Sequence, residues 1–378
     1  MISRSGIRLS SVVMTHPTRR NQAQALVDDH PELELRMVLD PRPDATASAL
    51  RTARLAWAGS EAEATHHLVI QDDVALSPGF AEDLLALIAD RPADVLCLYV
   101  DWGSLSGAAL RIAALLGHAW SPVVEPGYVP TVGMVMPTAL AREFAALRDD
   151  PGHRGIDDVA MLDFLRERGI TPLTPVGRLL EHEGNESLVG NARQGRRHAA
   201  TARGVDISRT GVLPVPDRLA HMLWTEGEGL LYVRDPSARK GWRYTPVETV
   251  LRDANASPVK VFEALRQELE SSPSRDRLRD LLSTVLAREL WLTGLLLGHI
   301  AVGEARRLSL FGDCEDLLAD PTAAAALARL APGAVRRFVP DHLLEELTEV
   351  AEPLVHAAVR LGWNDTLNTS DAFDAAWG

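Results

Sequence analysis

The 378-residue sequence is poor in cysteine, with only Cys97 and Cys314, far apart in the chain. A disulfide framework and a cysteine-built zinc cluster are both excluded, and the usage fits a reducing compartment. A surplus of basic residues is also missing: 39 Lys and Arg stand against 52 Asp and Glu, a formal net charge of -13. A general basic coat for nucleic acid is therefore absent, and nucleic acid is a disfavoured partner. The opening stretch "MISRSGIRLSSVVMTH" has no apolar run of signal-peptide length. The most apolar helical stretch, "ELWLTGLLLGHIAVG" at 289–303, is too short to cross a bilayer and carries charge on both sides. A cytoplasmic protein without a membrane span is the expectation. Four Asn-x-Ser/Thr matches, at Asn185, Asn255, Asn364 and Asn368, then read as chance. No internal repeat is evident. No G-x-G-x-x-G follows a strand, and no H-E-x-x-H occurs, which disfavours a dinucleotide dehydrogenase and a zinc protease.

What is present is an alternation of strand-like and helix-like segments over the first two hundred residues. "IRLSSVVMTH", "LELRMVLD", "HHLVIQDD" and "DVLCLYV" read as strands. "RRNQAQALVDDH", "ASALRTARLAWAGSEAEA" and "SPGFAEDLLALIADR" read as the helices between them. Ser77 is placed to cap the third helix and Pro78 to occupy its first position. This order predicts an α/β fold with a mostly parallel sheet flanked by helices. Ligands of such sheets bind at the carboxyl ends of the strands. Three of those ends carry polar groups: Thr15 and His16, Asp40, and the adjacent pair Asp72 and Asp73. Two carboxylates side by side at a strand end suit a hard divalent cation that takes oxygen ligands and bridges phosphates.

The segment "HLVIQDDVALSPGF" resembles the metal-binding segment of GT-A-fold glycosyltransferases, in which a strand ends in Asp-x-Asp or x-Asp-Asp and a helix follows. The resemblance implies a GT-A-like domain over 1–192. It implies Asp73 as a direct ligand of Mn2+ or Mg2+, and Asp72 as a contact to the nucleotide sugar or to the metal through water. Gln71 stands where relatives often carry an acid. "SSVVMTHPTRRNQAQALV" is similar to the first strand and nucleotide-binding turn, which assigns Thr15, His16, Arg19 and Arg20 to the nucleotide sugar. Arginine pairs with phosphate in a bidentate way, and a helix N-terminus adds donors. By the same likeness Asp40 reads the base or ribose, and Gly133 and Met134 in "GYVPTVGMVMPTALAREFAAL" line the sugar pocket. "RGIDDVAMLDFLRERG" matches the place where inverting members carry an acidic pair. Asp158 or Asp157 is then the catalytic base, although carboxylates are favoured at any helix start. His182 in "EHEGNES" matches a further metal ligand or phosphate contact, with Glu181 beside it. No single motif is specific; the order of the series carries the likeness, and it covers about half the chain.

The implied reaction is an inverting transfer of a sugar from a nucleoside diphosphate sugar, with UDP favoured by how common it is in such folds, to an acceptor nucleophile. The acceptor class stays open among peptide or protein, glycan and natural product. Beyond residue 192 the basic segment "NARQGRRHAATARG" reads as a linker over 193–214. A lid role for Arg193, Arg196, Arg197 and His198 is the weaker alternative. From about 245 the spacing is helical, as in "SPVKVFEALRQELE" and "PDHLLEELTEVAEPLVHAAVRLGW". Residues 215–378 are expected to form a mainly helical domain for acceptor binding or homo-oligomerisation. Two other readings stand beside the transferase. One is a non-catalytic nucleotide-sugar binder or scaffold working through the helical half. The other is a nucleotidyltransferase, disfavoured because "MTHPTRRNQ" lacks the glycines that wrap a triphosphate.

Overall fold

The computed structural model describes residues 2–4, 6–46, 48–147, 151–153, 155–183, 194–238, 240–253, 258–310 and 312–364. Two compact units emerge, and they are interleaved in sequence. The first comprises Met1–Val100, Pro122–Arg193 and Gly204–Arg209; the second comprises Asp101–Ser121, Gln194–Arg203 and Thr210–Gly378. This division differs from a boundary at 192, because a segment from the middle of the first half belongs to the second unit. Arg193, Asn185, Asn255 and Asn368 lie outside the described residues.

The first unit is α/β. A short strand β1 (Ile2–Arg4) precedes β2 (Ile7–Thr15), whose last seven residues are all buried. Helix α1 (Arg20–Asp29) leads to β3 (Arg36–Leu39), and α2 (Ala49–Ala58) leads to β4 (His66–Gln71). Then come β5 (Val74–Leu76), α3 (Phe80–Asp90) and β6 (Leu96–Cys97). After the excursion into the second unit the chain adds β8 (Gly133–Pro137), α5 (Thr138–Ala145), α6 (Asp157–Glu167), β9 (Leu173–Pro175) and β10 (Leu180–His182). Strand β2 pairs in parallel with β3 on one side and β4 on the other. Strand β1 pairs antiparallel with the start of β2. Strand β8 runs antiparallel between β4 and β6, and β6 is parallel to β9. The sheet is therefore mixed but mostly parallel. Near-continuous burial of β2 and of His66–Ile70 in β4 is what central strands covered on both faces require.

Two polar residues in these strands are reconciled with the core by hydrogen bonds. His67 Nδ1 lies 2.6 Å from Ser10 Oγ, and its Nε2 lies 2.8 Å from the Ala56 carbonyl. Burial holds this imidazole below its ordinary pKa. Helices α2, α5 and α6 share an aromatic contact line: the Trp57 and Phe144 rings are 6.4 Å apart, and the Phe144 and Phe164 rings 5.4 Å.

Helix α3 starts later than the sequence suggests. Ser77 does not cap it. The Ser77 amide donates to the Leu179 carbonyl at 2.8 Å, which prolongs the antiparallel β5–β10 ribbon. Gly79, at φ +77°, then turns the chain into the helix at Phe80.

The second unit holds α4 (Leu105–Leu115), all of whose residues are buried, and β7 (His118–Pro122), parallel to β11 (Thr210–Val212). A three-stranded antiparallel sheet of β12 (Arg218–Leu223), β13 (Glu228–Arg234) and β14 (Trp242–Pro246) follows. Helices α7 (Val247–Asp253), α8 (Pro258–Ser271), α9 (Arg275–Leu281) and α10 (Thr284–Arg307) continue the chain. It ends in α11 (Cys314–Ala319), α12 (Pro321–Ala328), α13 (Leu330–Val335) and α14 (Leu344–Trp363). The small sheet was not foreseen in a region read as helical. Helix α10 has 24 residues, longer than the apolar stretch at its centre, and by length and composition is able to cross a membrane. In this fold 78% of its most apolar window is buried within the protein. It packs on α14 at glycine distance: a Cβ on Gly298 would stand 2.0 Å from the Val359 carbonyl oxygen, and one on Gly362 1.8 Å from that of Leu295. Burial rather than length makes α10 a core helix.

Candidate functional site

Asp72 and Asp73 leave the carboxyl end of β4 beside the carboxyl end of its parallel neighbour β2, since Met14 pairs with Gln71. The Thr15 hydroxyl donates to Asp72 Oδ2. One turn further, Arg19 Nη1 reaches both acids, lying 3.2 Å from Asp72 Oδ1 and 3.2 Å from Asp73 Oδ2. The β5–β10 ribbon brings in the third group. Val74 pairs with His182, and the Glu183 amide donates to the Asp73 carbonyl at 2.9 Å. His182 Nε2 thereby stands 3.5 Å from Asp73 Oδ2, with the Tyr99 ring 6.2 Å from the imidazole. Asp73 is 7% exposed and His182 3%. Asp73 Oδ1 is shielded from solvent and has no hydrogen-bond partner among the described residues. A buried carboxylate oxygen without a donor is costly unless something binds it. Burial pushes the Asp72 carboxyl above its usual pKa and the Asp73 charge adds to this, while Thr15 and Arg19 hold it down.

Thr15, Arg19, Asp72, Asp73 and His182 are thus gathered at one sheet edge. The other residues expected at the site are placed differently. His16 caps the turn that carries Arg19, its Nδ1 lying 3.3 Å from the Thr18 amide and 2.8 Å from the Thr18 hydroxyl. Arg20 is exposed as the first residue of α1. Asp40 follows β3 with its amide bonded to the Thr15 carbonyl at 3.0 Å, so it does sit next to the strand end. Its carboxylate is engaged: Arg51 Nε and Nη2 donate to its two oxygens at 2.7 Å each, and the Arg42 amide donates at 3.0 Å. The Arg51 pairing holds the Asp40 pKa below the usual carboxylate range. Any contact from Asp40 to a ribose would use lone pairs that this pairing leaves over.

Gly133 and Met134 call for correction. Met134 is fully buried, so it belongs to the core and presents no surface to a ligand. Gly133 is set by packing: a Cβ there would stand 2.4 Å from Leu180 Cδ2, so the absent side chain is what lets β10 lie close to β8. The basic segment also departs from both expectations for it. Backbone carbonyls of Arg196 and His198 accept from Trp102 Nε1 at 3.1 Å and from the Trp102 amide at 2.9 Å, and the His198 ring stacks edge-on against Trp102 at 4.8 Å. Residues 196–198 are pinned within the second unit and are neither a free lid nor a solvated linker.

The acidic pair at the start of α6 is a second centre of strain. Asp157 and Asp158 open the helix, as the sequence suggests. Asp157 is buried, bonded to the Thr131 hydroxyl, and held above its normal pKa by desolvation. The Asp158 carboxyl is pushed up to about 7, first by burial and then by the charge of Asp157. One oxygen of each, Asp157 Oδ2 and Asp158 Oδ1, is shielded and unpartnered among the described residues. Gln71 Nε2 lies 3.4 Å from the Thr131 oxygen, and the Gln71 amide donates to the Val132 carbonyl at 2.9 Å. A chain of contacts therefore runs from the strand end before Asp72 through Thr131 to Asp157. Thr131, Arg51 and Tyr99 were not singled out from sequence. Only Arg51 left a trace there, as an arginine one turn into the helix that follows Asp40.

Among the described residues, no group of three or more His, Cys, Asp or Glu side chains is arranged to hold a metal ion. No family model matches the chain, and no curated protein matches it.

Proposed function

We propose that the first unit binds a nucleoside diphosphate sugar and transfers its sugar to an acceptor nucleophile with the help of a divalent metal. The observation that carries this reading is Asp73. It is a buried carboxylate at the carboxyl end of a central parallel strand, with one oxygen unpartnered and with Arg19 and His182 on the other. The mixed, mostly parallel sheet and the antiparallel β5–β10 ribbon agree with a GT-A-like domain, which the residue series resembles. The donor set fits Mn2+ or Mg2+ in part. Carboxylate oxygens and one imidazole nitrogen suit such an ion, and the remaining positions fall to phosphate and water. When bound, the metal would offset charge developing on the leaving diphosphate.

This chain's own residues have separable tasks. Asp73 and His182 would hold the metal. Thr15 fixes the Asp72 carboxylate, and Arg19, on a turn at the strand end, can exchange its carboxylates for phosphate oxygens. Asp158 is the group suited to take the acceptor proton, because a carboxyl near pKa 7 is matched to proton transfer at neutral pH. The preference for UDP and the inverting course rest on the resemblance alone.

The test is a thermal-shift screen with UDP, GDP, CDP and dTDP, each with and without Mn2+, on the wild type and Asp73→Asn. A ligand specific to the folded state, present at a hundred times its Kd, adds about 2.7 kcal/mol of stability. A metal-dependent shift for one nucleotide, lost in the variant, is the expected result. No shift with any nucleotide removes the reading. Slow release of sugar to water from the matching donor then separates a transferase from a pure binder.

A further inference from the structure

Helices α8, α9 and α10 of the second unit line a half-open cavity of about 440 Å³ that the transferase reading does not use. Phe262, Leu265 and Leu269 line it from one face of α8, at helical spacing. Leu278 and Ala287, both buried, line it from α9 and α10. The volume is in the range of small-molecule sites. It matches an extended apolar chain of on the order of a dozen methylene groups, each taken as about the size of a water molecule, ~30 Å³.

The charge at this cavity has a sign. Three arginines line it, Arg266, Arg279 and Arg288, against the single carboxylate of Glu270. Acids beside the cavity offset two of these arginines, Arg288 having Glu248 at 3.6 Å as well as Glu289, which leaves Arg279 as the positive group that is not offset. Arg266 is paired with Glu270 at 3.0 Å and Arg288 with Glu289 at 2.7 Å. Arg279 has no ion-pair partner among the described residues, and its position on α9 is exposed. An apolar slot with an unpaired guanidinium beside it selects a molecule with an apolar tail and an anionic end.

We propose that this cavity binds a single-chain amphiphile of about ten to fourteen carbons with a carboxylate or phosphate head, the tail against Leu265 and Leu278 and the head at Arg279. The site is independent of the Asp73 centre and does not rest on the transferase reading.

The test is calorimetric titration of the full chain with four ten-carbon probes below their micelle concentrations: decanoate, decyl phosphate, decanol and decyltrimethylammonium. Decanoate or decyl phosphate should bind at least tenfold more tightly than decanol, and the cationic probe should not bind. Arg279→Glu, an exposed change that spares the core, should weaken the anionic probe tenfold or more and leave decanol unchanged. Leu265→Trp, checked for an intact melting transition, should abolish binding of all probes. Leu265→Phe, a smaller enlargement of the same side chain, should weaken binding of every probe if the tryptophan variant does not fold. Equal affinity for decanol and decanoate, or anionic binding unmoved by Arg279→Glu, would overturn the proposal, as would the absence of binding by any probe.

Discussion

Replacing Asp158 by asparagine should stabilise the protein in alkaline solution and, under the proposed function, should impair sugar transfer. Asp158 sits in the first turn of α6, largely buried beside Asp157, with its carboxyl pushed from 3.8 to about 7. Each difference of one in pKa between folded and unfolded states corresponds to about 1.4 kcal/mol, so a difference of about three sets an upper bound near 4 kcal/mol. Partial exposure and the coupled titration of Asp157 reduce this to about 1–3 kcal/mol. Because the folded pKa is raised, the fold favours the protonated acid. That contribution is fully present below about pH 4 and is lost as pH rises toward 7. Asparagine keeps the shape and never ionises. The variant should therefore match the wild type near pH 4 and exceed it by about 1–3 kcal/mol at pH 8. Urea unfolding followed by circular dichroism at half-unit intervals from pH 4 to 8 measures the difference directly. A stability difference independent of pH would refute the buried, charge-coupled acid. Sugar transfer or donor hydrolysis by the same variant should fall a hundredfold to ten-thousandfold, with nucleotide binding retained, if Asp158 is the base.

Three further substitutions probe the supporting structure. Arg51→Met leaves the buried Asp40 carboxylate without its bidentate partner and should cost about 1–3 kcal/mol at pH 7. Since Arg51 lowers the Asp40 pKa, the cost should shrink as pH falls and Asp40 takes up a proton, which urea melts at pH 7 and pH 3 would show. Gly133→Ala drives a methyl group toward the buried Leu180 and should destabilise by about 1–3 kcal/mol, read as an earlier denaturant midpoint with unchanged slope. In the second unit Asp101 pairs with buried Arg336 and lies close enough to the fully buried Arg111 to oppose the loss of its charge, so Asp101→Asn should cost about 3 kcal/mol or more in the same assay.

The parts of the fold that were legible were those with strong periodicity. Strands β2 and β4 hold the short apolar runs Val12–Met14 and Leu68–Ile70, α1 and α2 carry amphipathic spacing, and α6 opens on the acidic pair Asp157 and Asp158. The placement of Asp72 and Asp73 followed from the same pattern. The ribbon that brings His182 to Asp73 is two three-residue strands more than a hundred positions apart, and only tertiary pairing creates it. Gly133 and Met134 were misassigned because a glycine needed for packing is written with the same letter as one needed for a ligand. The small β12–β14 sheet went unread although "RLAHML" and "GLLYVR" flank a turn containing Gly227 at φ +70°. The interleaving of the two units left no mark in composition, because the all-buried α4 resembles any apolar helix of an α/β domain.

That interleaving has a consequence for synthesis. Helix α4 leaves the ribosome between strands of the first unit, yet Arg111 on it bonds the Ala326 carbonyl at the end of α12, two hundred residues later. At about 5–20 residues per second that partner arrives roughly 10–40 s after α4. For that interval an eleven-residue helix with no exposed position in the finished protein waits in water. The nascent chain should need a holding chaperone over this window. A stop codon at 192 would leave α4 waiting permanently, and such a fragment should appear in the insoluble fraction.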